Sequence, residues 1–196
     1  MKNYIFSMAT MFCLLAFTSN SFGQDISTEG LLDKAMTLSE KGDNAGVAEA
    51  LTQGSAALEN EAKDSSGDLK DKILGKVGNL KSLASLASGG KLQTGILGKA
   101  ISAVKMLIGA NRINKLLGKG DSGLLGNAAS LTSSLGLIKT GSSILGADQQ
   151  GSLTSLLGEA SKSVGEVDKK GIAGKVAATA ATKQLGSIVK LVSSAI

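Results

Sequence analysis

Three serine–lysine pairs have the spacing in which a lysine can serve as base to a serine nucleophile: Ser88 with Lys91, Ser102 with Lys105, and Ser187 with Lys190. A chain with this many serines and lysines produces such pairs by chance, and no surrounding motif singles one out. Gly118-Lys119-Gly120-Asp121-Ser122-Gly123 matches the glycine pattern of a dinucleotide loop. That chemistry needs a strand before the loop and a helix after it, so that backbone N–H groups face the pyrophosphate. Here the preceding segment, Ile113 to Leu117, has helical character, and the motif reads as a turn between helices. Gly-Lys pairs recur at Gly75, Gly90, Gly98, Gly118 and Gly174, but none is followed by the Ser or Thr that holds magnesium in a phosphate loop.

Metal and acid–base chemistry find equally little to use. The chain has no His, and its one Cys, Cys13, lies near the start. That argues against zinc or copper. Asp148 to Glu159 has the length of a calcium loop, yet Leu153 stands where the sharp turn requires Gly, so Asp148 reads as a helix cap. No catalytic, metal-binding or cofactor-binding residue is assigned, and the chain is expected not to be an enzyme.

The first residues have a different character. Lys2 is followed by an apolar run from Ile5 to Phe17 and a short small-to-polar stretch from Thr18 to Gly23. This is the order of a secretory signal peptide, with the cut expected between Gly23 and Gln24. The apolar run is shorter than the ~20 residues a spanning helix needs. Phe12 directly before Cys13 argues against a lipidation site. Residues 1–23 are therefore expected to be removed, leaving an extracytoplasmic bacterial protein, periplasmic or secreted.

The remainder is unusual in what it lacks. Tyr4, Phe6, Phe12, Phe17 and Phe22 are the only aromatic residues, and the chain has no Pro and no Trp. After Gly23 the core must come from Leu, Ile, Val, Ala, Met36 and Met106. Of 26 glycines, only Gly23 falls in the leader. Glycine inside a helix costs about 1 kcal/mol relative to alanine, so closely packed helices of marginal stability are expected.

Charge is divided along the chain. Asp25 to Asp71 carries 11 acids and 4 lysines; Lys72 to Ile196 carries 5 acids against 15 lysines and Arg112. The acidic head and basic body are expected to attract each other. The excess of lysine also offers a surface to an anionic partner. The lysines are dispersed rather than clustered, which argues against a specific nucleic-acid site.

Helical spacing prevails over two-residue alternation. Helices are expected at about 28–41, 44–63, 68–87 and 92–117, with less regular helices within 122–147, another at about 149–165, and a last one from about Lys169. Leu31, Ala35 and Leu38 share one face of the first. Ile96, Leu97, Ile101, Val104, Leu107, Ile108 and Ile113 make the fourth the most apolar. Gly42-Asp43 should stop one helix and cap the next, and Gly67-Asp68 and Gly120-Asp121 repeat that hinge. The pattern A-x-x-L-x-x-x-G-D from Ala35 to Asp43 resembles half of a tetratricopeptide-type hairpin. With one unit visible, the resemblance implies a helical hairpin and no array.

The expected fold is all-α: a glycine-rich helical bundle of about six to eight helices after the signal peptide. It forms a single helical domain over 24–196, with an acidic hairpin at 27–64 and a basic body at 66–196. Ser122 to Ile138 carries no charge, but its Ser, Thr and Asn residues fit a buried hairpin better than a membrane span. In the last helix Leu185, Ile188, Val189, Val192 and Ile196 fall on one arc, and Lys183 and Lys190 face the other way. Lys175, Lys183 and Lys190 are the candidate contacts to an anionic surface. The function expected is a structural or protein-binding role without catalysis. The alternative is a lipid-surface protein using the 122–147 segment and the last helix. Export is directly testable: protein recovered from outside the cytoplasm should begin near Gln24 by mass spectrometry, and an intact Met1 on that material would refute the signal.

Overall fold

A computed structural model describes residues 27–196, and the signal-peptide reading lies outside the described residues. Among the described residues there are seven α-helices and no strand: α1 (Thr28–Glu40), α2 (Asn44–Lys63), α3 (Gly67–Ser88), α4 (Thr94–Leu117), α5 (Ala128–Gly141), α6 (Ala147–Val164) and α7 (Ile172–Ala195). Single 3-10 turns stand at Asp121–Gly123 and Ser142–Ile144.

Local chemistry places most of the ends. Ser27 caps α1 by accepting from the Gly30 N–H at 3.2 Å, and Asp43 caps α2 by accepting from Gly46 at 2.9 Å. At Gly42 the backbone turns left-handed, φ 74°, which lets the Asp43 N–H reach back to the Leu38 carbonyl at 3.0 Å. Gly90 ends α3 in the same way, with Lys91 donating to Leu86 at 2.9 Å. Both are Schellman closures, in which glycine takes a conformation that costs a side-chain-bearing residue energy.

The other hinges differ from expectation. The cap position of α3 is Ser66, and Asp68 lies in the first turn. Gly120-Asp121 opens a 3-10 turn rather than a full helix. Gly146, not Asp148, stands at the cap of α6; Asp148 is in the first turn, where its charge complements the helix dipole. The last helix begins at Ile172 instead of Lys169, because the chain folds back at Gly171 with φ 78°.

The fold is organised around α4. Helices α1 and α3 pack on α4 with α2 between them, while α5 and α7 also lie against it and α6 bridges those two. From Ala103 to Asn111 every residue of α4 except Lys105 is buried, so this helix has no solvent face over more than two turns. Ile96, one of the residues that make this helix the most apolar, is 49% exposed, while Leu97 beside it is fully buried. The central segment is indeed buried along one side: Leu124, Leu131, Leu135, Ile138 and Leu145 join the core. No helix among the described residues is long and apolar enough to cross a membrane.

Glycine sets the distance between α4 and α5. A Cβ added at Gly109 would stand 2.5 Å from the Ser134 carbonyl and 2.8 Å from Ile138 Cγ1. One added at Gly141 would stand 2.3 Å from both the Ser102 carbonyl and Met106 Cγ. The helices thus meet backbone to backbone, and their close approach supplies packing contact that aromatic rings would otherwise provide. Gly109→Ala and Gly141→Ala should each destabilise the protein by about 1–3 kcal/mol by overpacking. Gly136→Ala, on α5 with open space around it, should instead stabilise by up to about 1 kcal/mol. Urea midpoints measure all three.

Candidate functional site

The acidic head and basic body meet along one side of α4. Lys105 pairs with Asp33, Arg112 with Glu29 and Glu61, and Lys115 with Asp64 at 3.7 Å. Lys81 of α3 meets Glu59 of α2 at 3.1 Å. Arg112 is the centre of this row. Its Nε donates to Glu61 at 3.0 Å, and its two terminal nitrogens grip both oxygens of Glu29, one at 3.1 Å. Burial pushes the Glu29 carboxyl up, but the hydrogen bonds and charge of Arg112 outweigh it and hold the group below its ordinary value. Burial likewise pushes the Arg112 guanidinium down, and its two glutamates return it above its ordinary value. The bidentate geometry suits a structural clamp between α1, α2 and α4. Sequence reasoning had placed Arg112 only in a charge count. The spacing of Lys105, Arg112 and Lys115 at i, i+7 and i+10 on the most apolar helix was the available signal.

The residues first considered for chemistry are not assembled for it. Ser88 donates to the Ala84 carbonyl and Ser187 to the Lys183 carbonyl, each at 3.1 Å, and Lys105 is engaged by Asp33. The Gly118–Gly123 motif lies between α4 and α5, and Asp121 within it accepts from Thr179 at 3.0 Å and Thr182 at 2.9 Å of α7. It is a tethered turn between helices. Asp148 to Glu159 lies entirely within α6. Among the described residues no three His, Cys, Asp or Glu side chains converge as a metal site would need.

The surface feature that stands out is the turn from α6 into α7. Val167 is fully buried and anchors it. Asp168 accepts from the Gly126 N–H at 2.7 Å and ties it to the loop before α5. Gly174 leaves room for the turn to fold onto α7, since a Cβ there would stand 2.0 Å from the Lys169 carbonyl. This held turn presents Ile172 at 81% and Val176 at 64% exposure, the two most exposed large apolar residues among those described. A hollow of about 310 Å³ beside them is lined by Leu125, Lys169, Lys170 and Lys175. A second, of about 520 Å³, is walled by Val176, Ala173, Ala177 and Ala180 with Lys162 of α6 and Glu166 of the turn. Lys169 pairs with Glu166; Lys170 and Lys175 meet no acid among the described residues. No side chain caps the first turn of α7, so its N–H groups add positive potential.

The three lysines expected to act together are divided by the fold. Lys175, Lys183 and Lys190 are all exposed on α7, within an arc of about 80° at 3.6 residues per turn. The Asp121 carboxylate, held by Thr179 and Thr182, lies on α7 between the levels of Lys175 and Lys183 and interrupts the stripe. Lys175 therefore joins Lys169 and Lys170, while Lys183 and Lys190 stand apart. Leu185, Ile188, Val189 and Val192 are buried in the core, so the apolar arc of the last helix packs on the bundle. Ile172 and Val176 were not anticipated; both lie on the lysine side of α7, where an apolar residue lacks a core to enter.

Comparison with protein-family models, curated proteins and solved structures gives no match.

The Arg112 clamp makes stability pH-dependent. Because Glu29 is held below its ordinary value, its contribution is complete above the unfolded value and is lost as the pH falls through the lower folded one. Arg112→Met should cost about 2–4 kcal/mol by leaving two half-buried glutamates unpaired. It should also flatten the acid limb of the stability curve, read from urea midpoints between pH 3 and pH 7.

Proposed function

We propose that this is an exported, non-catalytic binding protein that docks on an acidic partner protein through the α6–α7 turn. The observation that carries this reading is the exposure of Ile172 and Val176 among Lys169, Lys170 and Lys175. Two adjacent apolar side chains left in water on the first turns of α7 favour removal from water by a partner. The surrounding positive charge selects a partner rich in Asp and Glu and steers its approach. The tripartite start of the chain supports export. The serines turned onto backbone carbonyls support a role without nucleophilic catalysis.

A protein partner is favoured over a lipid surface because the apolar arc of α7 is occupied by the core. What remains exposed is two branched aliphatic residues without the aromatic or leucine-rich face of interfacial helices.

The reading is tested in the cells that make the protein. A photo-crosslinking residue at Val176 should trap a discrete protein adduct, and one at the open position Gly136 should not. Combining Lys170→Glu with Lys175→Glu should abolish the adduct without changing the circular dichroism spectrum. Sedimentation with phosphatidylglycerol vesicles, with no protein adduct from position 176, would refute it.

A further inference from the structure

A second place on the surface asks for a ligand, independently of the α6–α7 turn. A cleft of about 610 Å³ lies between the α2–α3 connection and the end of α4. Its walls include Asp64, Ser66, Asn111, Asn114, Lys115 and Lys119. Asn111 is 1% exposed, and neither its amide nitrogen nor its oxygen has a hydrogen-bond partner among the described residues. A buried amide left bare on both sides is unfavourable, since each polar atom has lost water without a replacement. The residues before it on α4, Leu107 to Ala110, are small or aliphatic, whereas Arg112, Asn114 and Lys115 follow it.

The chemistry of that amide narrows the ligand. The nitrogen needs an acceptor and the oxygen, beside it, needs a donor. A sulfate ion satisfies only the nitrogen, and a metal cation only the oxygen. Hydroxyl groups on adjacent carbons satisfy both at once. Near the cleft mouth, Lys115 is shared with Asp64 at 3.7 Å, whereas Lys119 is exposed and meets no acid among the described residues. Ser66, at the cap position of α3, makes no side-chain capping bond, which leaves its hydroxyl and the first N–H groups of a long helix free. Asn114 adds a second amide. The volume is that of a small-ligand pocket.

We propose that this cleft binds a hydroxylated organic anion of the sugar-acid type. Its hydroxyl groups sit on Asn111 at the floor, and its carboxylate sits at the rim beside Lys119 and the start of α3. Recognition is by hydrogen bonds and charge alone, consistent with a described chain that has no aromatic ring to stack on a sugar face.

The test uses the full chain, isotope-labelled, with the Asn111 side-chain amide followed by NMR. D-glucuronate should move that amide pair in a saturable way. Glucose should bind more weakly, and inorganic sulfate, which offers the amide oxygen no donor, more weakly still. Lys119→Ala should weaken glucuronate about tenfold, the effect of one charge-assisted contact. Asn111→Leu should abolish binding while melting no lower than the parent, because it removes two unsatisfied polar atoms. Should Asn111→Leu fail to fold, Asn114→Ala and Lys119→Ala at the rim still decide the matter: both must weaken glucuronate. An unmoved amide at saturating glucuronate means the cleft holds water only and overturns the proposal. So does an equal response to sulfate, or glucose binding as tightly as glucuronate.

Discussion

Enclosing α4 is the constraint on which the rest of this structure depends. A helix buried over more than two turns needs neighbours on every side, and here those neighbours carry no aromatic side chain among the described residues. Density is reached by shortening distances instead of enlarging side chains. Gly109 and Gly141 bring α5 against the α4 backbone. Small residues at a helix crossing draw the axes together and raise the number of favourable van der Waals contacts per side chain. The same choice explains a chain so rich in glycine: the residues that weaken isolated helices permit the assembled ones to touch.

Enclosure creates an electrostatic problem that the acidic head solves. Lys105, Arg112 and Lys115 project from α4 toward α1 and α2, where they are only partly hydrated. Five ion pairs join the acidic first third to the basic remainder. Exposed pairs of this kind contribute little singly. The Arg112 clamp differs, because both of its glutamates are largely shielded and the guanidinium meets one of them with two parallel bonds. Glu29, Asp33, Glu59 and Glu61 are engaged in this way, while around the start of α7 Lys169 meets Glu166 and Lys170 and Lys175 meet no acid among the described residues.

Both places that point to a partner lie where the core makes no demand. Ile172 and Val176 extend from a turn that Val167, Asp168 and Gly174 already hold, so their own side chains are free of any packing role. Asn111 is the converse: it occupies an interior position where the core would accept an aliphatic side chain, yet it carries an amide that the protein leaves unbonded. An exposed apolar pair and a buried polar orphan both depart from the pattern that folding alone favours, and such departures concentrate where a protein meets something else.

Much of the fold was legible in the sequence by itself. Helical periodicity, the absence of proline and the Gly42 stop located six of the seven helices to within a few residues, because capping and helix periodicity are local properties; α5 was legible only as irregular helix within 122–147. Leu97, Ile101, Val104 and Leu107, among the residues that make α4 the most apolar helix in the sequence, all lie in the core, since their spacing keeps them on one stripe. Ile96, named with them, is exposed: apolar character says that a helix has a buried side but not which neighbours cover each residue. Lys175, Lys183 and Lys190 were rightly placed on the outer side of α7, yet only the tertiary structure showed that Asp121 divides them and that Ile172 and Val176 stand beside Lys175. The pairing of Arg112 with Glu29 and Glu61, across 83 and 51 residues, and the isolation of the Asn111 amide were equally beyond the sequence. Each depends on which atoms arrive opposite a side chain after the helices pack, and that is set by the crossing of α4 with α1, α2 and α5 rather than by any neighbour along the chain.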